Sequence, residues 1–196
     1  MRARNLTVGA IVAALSMAPV AGAAVSLTRF IARAGEEPGF VPQGRPQTSS
    51  TASAWVAGEP GGQRRADSSR LRREGFVRAV AQQMTYLPNP RNGGGLSWVM
   101  ELGSSNAALA EQRVQLRQTI AAQGKVKIRR FSIPGVPGAK GFTATLPGQP
   151  GGAANALFTE GRCLLLIGDS VPDANLAGPV KAGVRAIYRR TGGRCP

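Results

Sequence analysis

Histidine is absent from this 196-residue chain. Its absence removes the imidazole base of Ser-His-Asp and Cys-His nucleophiles and the commonest side-chain metal ligand. Cysteine is nearly absent as well, with two residues, too few for a Cys₄ or Cys₂His₂ zinc site. Aromatic residues make up 5% and charged residues 18%, and ten acidic residues stand against 25 lysines and arginines. There is no G-x-S-x-G elbow and no S-x-x-K. Gly93-Gly94-Gly95 lacks the Lys-Ser/Thr of a phosphate loop and leads into an alternating apolar stretch, which makes it an ordinary glycine turn. No motif calls for a cofactor or a metal.

Glycine (26) and proline (14) are abundant, so loops take a large share of the chain, and the apolar residues cluster into periodic segments sufficient for one domain. The net charge is +15. Such a charge favours polyanions: anionic lipid, wall polymer or nucleic acid. Arginine outnumbers lysine 21 to 4, beside abundant alanine and glycine, as a GC-rich genome would also produce. The charges are scattered as Arg64-Arg65, Arg70-Arg72-Arg73, Arg129-Arg130 and Arg189-Arg190, with no run of the kind that marks a nucleic-acid patch, so no specific nucleic-acid partner is expected. Functional and compositional readings of the charge both stand.

Residues 1–28 read as a bacterial export segment. Arg2 and Arg4 form a positive n-region, Leu6 to Ala18 is an apolar h-region, and Pro19 breaks it. Ala21-Gly22-Ala23 then supplies an A-x-A site, which predicts cleavage after Ala23. The alternative is an uncleaved anchor, because Asn5 to Thr28 carries no charge and is long enough to span a bilayer. Either way the remainder lies outside the cytoplasm. No cysteine sits near the cleavage site, which excludes a lipoprotein anchor.

Residues 29–50, with their prolines and glycines and no periodicity, read as a flexible linker, and 51–196 as the folded domain. Thr51 to Ala57 reads as a strand and Gly58 to Asp67 as a loop. A first helix is expected from about Ser69 to Leu87, capped by Ser68 or Ser69, with Phe76, Val80, Met84 and Leu87 on its buried stripe. Leu96 to Leu102 alternates as a strand. A second helix spans about Ser105 to Gln123, with Leu109, Leu116 and Ile120 on one face. Strands follow at Lys125 to Ile133, Gly141 to Leu146, Ala154 to Thr159 and Arg162 to Ile167. In the last of these, Cys163-Leu164-Leu165-Leu166-Ile167 is apolar at every position, as in a central strand buried on both faces. A final helix starts near Pro179, buries Val180, Val184 and Ile187, and ends at Gly192. The expected fold is α+β: a mostly antiparallel sheet of five to six strands flanked by about three helices, in the order β-α-β-α-β-β-β-β-α.

The pieces IPGVPGAKGF, ANALFTEGRCLLLIGDS and AIYRR, between Ile133 and Arg190, resemble small secreted proteins and lipoproteins of actinobacteria and their relatives. Some of these have a PsbP-like or kinase-sensor-like fold, an antiparallel sheet flanked by helices. The resemblance covers less than a third of the chain. It implies an exported accessory or ligand-binding protein and carries over no functional residue.

Two carboxylates, Asp169 and Asp173, sit four apart after the buried strand. Such pairs cleave glycosides or hold calcium, but aspartate also favours turns and helix entries, as does Glu160 in its hairpin turn. Trp98 shares a face with Met100 and Leu102 and reads as core; Trp55 could be core or line a ligand site. Cys163 and Cys195, the only cysteines, are expected to form a disulfide in an oxidising compartment. The function these observations favour is a non-enzymatic binding or accessory domain at the envelope, its ligand unspecified. The alternatives are a binder of anionic lipid, wall polymer or nucleic acid, and a hydrolase that works through carboxylates.

Overall fold

The run Cys163–Ile167 is the middle of the molecule. In the computed structural model, which describes residues 27–59, 61–91, 93–124, 126–145, 151–171 and 177–195, it begins the fourth of seven strands across one sheet. Among the described residues the elements are β1 (Phe40–Ser49), α1 (Ala52–Trp55), α2 (Gly61–Arg73), β2 (Arg78–Tyr86), β3 (Gly94–Glu101), α3 (Ser105–Ala122), β4 (Lys127–Phe131), β5 (Lys140–Thr145), β6 (Gly152–Glu160), β7 (Cys163–Val171) and α4 (Ala177–Thr191). A 3-10 turn, Thr28–Phe30, precedes them. All neighbours are antiparallel, in the order β1-β2-β3-β7-β6-β5-β4. The chain winds outward to inward twice, and α3 carries it from the centre to the far edge between the two passes.

Because β7 has no polar face, helices must cover both sides of the sheet. Cys163, Leu165 and Ile167 pack with Phe30 of the 3-10 turn and with Val180, Val184 and Ile187 of α4. Leu164 and Leu166 face the other way and join Trp98, Met100, Val56, Leu71 and Ala108, under α1, α2 and α3. Trp55 meets Trp98 edge to face at 5.6 Å, so both tryptophans belong to this second core. The fold is thus the expected α+β class, with seven strands and four helices rather than five to six and about three.

Residues 29–50 are not a linker. Leu27, Phe30, Ile31 and Phe40 are buried in the first core, and β1 pairs with β2 along the sheet edge. Two prolines, Pro42 and Pro46, hid it. At an edge, a missing N–H costs no ladder bond if it faces solvent. The register also breaks between Gln43 and Gln47, around Gly44 at φ +68°, a conformation that favours glycine. The domain therefore begins by Leu27 rather than at Thr51.

The stripe Phe76, Val80, Met84, Leu87 belongs to no helix. Residues 78–86 are β2, with Val80 and Met84 in the first core and Ala79 and Ala81 against the second. A spacing of four satisfies both a helix and a strand, because it is one helical turn and also two strand repeats. Leu87 is 56% exposed beyond the strand end. The helix lies earlier, at Gly61–Arg73, and Ser68 and Ser69 are inside it. Thr51–Ala57 is not a strand either: the Thr51 hydroxyl accepts the Ala54 N–H at 3.2 Å and caps α1. The cleavage site at Ala21 and Ala23 and the rest of the export segment lie outside the described residues. Among those that are described, no helix is long and apolar enough to cross a membrane.

Candidate functional site

None of the nine described carboxylates is exposed, although they sit in a protein with 25 basic residues. Seven are buried outright: Glu37, Glu59, Asp67, Glu101, Glu111, Glu160 and Asp169. Several are held by arginines. Glu101, at the end of β3, is held by Arg78 at 2.6 Å and by Arg162. Glu36 pairs with Arg190 at 2.7 Å, tying the segment before β1 to α4. Between α2 and α3, Arg70 donates to Asp67 and to both oxygens of Glu111, the latter at 2.8 and 3.0 Å. Gln118 and Gln115 reach in from α3 to the same carboxylates. Glu59 and Glu74 complete that cluster, and burial raises each to about 7, helped by Asp67 beside Glu59 and by Glu111 beside Glu74.

Asp169 does not line an open site. It is 3% exposed, under α4, and faces Glu37, which is 1% exposed. No N–H or hydroxyl among the described residues reaches either carboxyl group. A proton shared between them is the hydrogen bond they have left, and it requires at least one to be neutral. Burial raises both, Asp169 well above the ordinary range. Gly95 opposite Asp169 has no Cβ, and one there would overlap Asp169 Oδ1. Asp173, the other member of the expected pair, lies outside the described residues. Glu160 also departs from a simple turn residue: it is buried, bonded by the Thr191 hydroxyl at 2.8 Å, and raised to about 6 by burial.

These shifts predict an unusual pH dependence. Glu37, Glu59, Glu74, Glu160 and Asp169 are all raised, so between about pH 4 and their folded values the native state keeps protons that the unfolded chain has lost. Stability therefore falls as pH rises through that window. A thermal melt should show a Tm at pH 5 about 5 °C or more above that at pH 8. Asp169→Asn should flatten part of the slope. A Tm equal or higher at pH 8 would contradict the reading.

With the acids inside, the exposed charges are mostly cations, and three of them, Arg113, Arg130 and Lys140, line one cleft. It has a volume of about 630 Å³ and lies between α3 and the β4–β5 hairpin. Alternation along β4 and β5 sets Arg130 and Lys140 on the side of Ile128, Phe142 and Ala144, which faces α3. Helical spacing places Leu109, Gln112, Arg113 and Leu116 on the α3 wall. Buried Gln112 fastens the two walls by donating to the Gly138 carbonyl at 3.1 Å and the Leu157 carbonyl at 2.9 Å. The loop before β5 is itself anchored, with Ile133, Val136 and Ala139 in the first core. No carboxylate lines the cleft, and Arg113, Arg130 and Lys140 have no ion pair among the described residues. Leu109, expected in a core, is 39% exposed at its edge. The stripe packs through Leu116 and Ile120 against Phe142 and Ala144, and Leu109 alone of the three is exposed.

Of the residues singled out in the sequence, Cys163 and Cys195 are bridged, with Cα atoms 5.7 Å apart. Neither they nor the tryptophans line the cleft.

No family model matches this sequence, and no curated protein matches it. Among solved structures it is similar to the extracellular domain of PknH from Mycobacterium tuberculosis, with a TM-score of 0.53 and 13% identity, over 88% of this chain and 98% of that one. PknH is a mycobacterial kinase, so the likeness loosely fits the kinase-sensor-like resemblance of the sequence, at the level of fold.

Proposed function

We propose that this is an extracytoplasmic, non-enzymatic binding domain, and that its ligand is anionic. One observation carries the reading: the fold withdraws every described carboxylate from full exposure and leaves most of the described lysines and arginines exposed. Compositional bias accounts for how many arginines the chain has. It does not account for where the acids are put. A surface of one sign attracts polyanions, and each contact releases condensed counterions. The export segment read at residues 1–28 and the likeness to an extracellular domain support the location. Lipid headgroups and wall polymers are the anionic materials that such a location offers.

The test is binding to vesicles of phosphatidylglycerol and phosphatidylcholine, mixed and alone. Binding should require the anionic lipid and weaken at least about tenfold between 50 and 200 mM salt. Equal affinity for neutral vesicles, or no binding at low salt, would overturn the proposal.

A further inference from the structure

We infer that the cleft between α3 and the β4–β5 hairpin binds one single-chain lipid carrying a phosphate headgroup. The inference rests on the anionic-ligand reading above and gives it a site. Two features of the cleft point to such a ligand together. Its cations, Arg113, Arg130 and Lys140, come from three different elements and stand without carboxylate partners among the described residues. Cations that line one cleft with no carboxylate among its residues repel one another, and an anion with several acceptor oxygens relieves that. A phosphate suits two arginines and a lysine, since each guanidinium can donate two N–H groups to it. Ser132, exposed on the same wall, offers a further hydroxyl donor.

The second feature is the apolar part of the wall. Leu109 and Leu116, one face of α3 two turns apart, border the same space. Leu109 is one of three large apolar side chains exposed among the described residues. A purely polar polymer would leave Leu109 and the outer side of half-buried Leu116 uncovered, whereas an alkyl chain covers them. The volume of about 630 Å³ falls within the range of small-ligand sites, about 300–1,000 Å³. The anchoring by Gln112 means that the cleft is formed before the ligand arrives, so little ordering opposes binding.

The probe is hexadecyl phosphate, kept monomeric and titrated calorimetrically into the protein, with inorganic phosphate and hexadecanol as the two halves of the same molecule. Saturable binding of one hexadecyl phosphate per chain is expected, with neither half binding comparably. Arg113→Ala/Arg130→Ala should weaken it at least about tenfold, as should Leu109→Ser/Leu116→Ser, while Arg185→Ala/Arg189→Ala on α4 leaves it unchanged. Circular dichroism on each variant separates loss of binding from loss of fold. Comparable binding of inorganic phosphate, or equal weakening by the α4 substitutions, would overturn the site. Should hexadecyl phosphate fail while anionic vesicles still bind with a steep salt dependence, the cleft is wrong and the general reading survives.

Discussion

Replacing Cys163 and Cys195 together with alanine is expected to cost about 3–4 kcal/mol of unfolding free energy, measured by urea denaturation. The bridge spans a sequence separation of 32 and joins the first residue of β7 to the tail behind α4. In the oxidised chain it removes loop-closure freedom from the unfolded state, an effect that grows slowly with loop length. It also holds one element that few others hold at that end. Thr191, the last residue of α4, reaches Glu160 through its hydroxyl, and beyond it Gly192 and Gly193 turn the chain back toward the sheet. Cys195 then lies against Gly161, in the tight turn between β6 and β7. Cutting the bridge frees this tail, and α4 is then held by its apolar stripe, the Thr191 bond to Glu160 and the contacts of Arg190 with Glu36 and the Ile31 carbonyl. Cys163 is buried, so the alanine substitution also removes a sulfur from the core. Reduction of the unaltered protein separates the two effects: dithiothreitol should reproduce most of the loss, and the m-value should rise as the unfolded chain expands. A loss below about 1 kcal/mol in both experiments would show that the bridge constrains little.

The sequence made the centre of this fold readable and hid its edges. β7 was legible because burial on both faces forces apolar residues at consecutive positions, a pattern that few other contexts produce. α3 and α4 are legible because their apolar residues fall at helical spacing, and α4 also because Gly192 follows its last residue as a stop. β2 was misread because Val80 and Met84 are compatible with both periods, and β1 because edge strands tolerate the prolines that ordinarily mark a linker. The candidate cleft had no local signal at all. Arg113, Arg130 and Lys140 look like scattered charges until α3 is laid against a hairpin that follows it. Their grouping is a product of topology, set by β4 lying at the far edge of the sheet. The missing half of the charge pattern was equally invisible. Glu59, Asp67, Glu74 and Glu111 belong to no motif, and only the packing of α2 on α3 shows that they surround a single guanidinium.

That guanidinium is where a single substitution should do the most damage. Arg70→Met is expected to cost on the order of 3–5 kcal/mol at pH 8, because it leaves a buried set of carboxylates without its cation. Glu111 is fully buried and Asp67 nearly so, and Arg70 donates to both. Glu59 and Glu74 already sit at about 7, pushed up by burial and held back in part by Arg70. Without it both rise further, and at pH 8 the folded protein must either ionise them against their neighbours or take up protons at a cost. At pH 5 Glu59 and Glu74 are protonated in the folded state with or without Arg70, so the deficit there should shrink by a clear margin. That dependence distinguishes lost charge pairing from lost packing by the arginine stem, which no change of pH would restore. Methionine is long and flexible enough to refill most of the stem's volume. The partner substitution makes the argument sharper. Arg70→Met/Glu111→Leu removes both ends of the main pair and should be less destabilised than Arg70→Met alone, a coupling that denaturant unfolding of the four proteins measures directly. Equal losses at pH 5 and pH 8, with additive effects in the double variant, would mean that Arg70 acts through its hydrocarbon stem and that the carboxylates around it keep their own company.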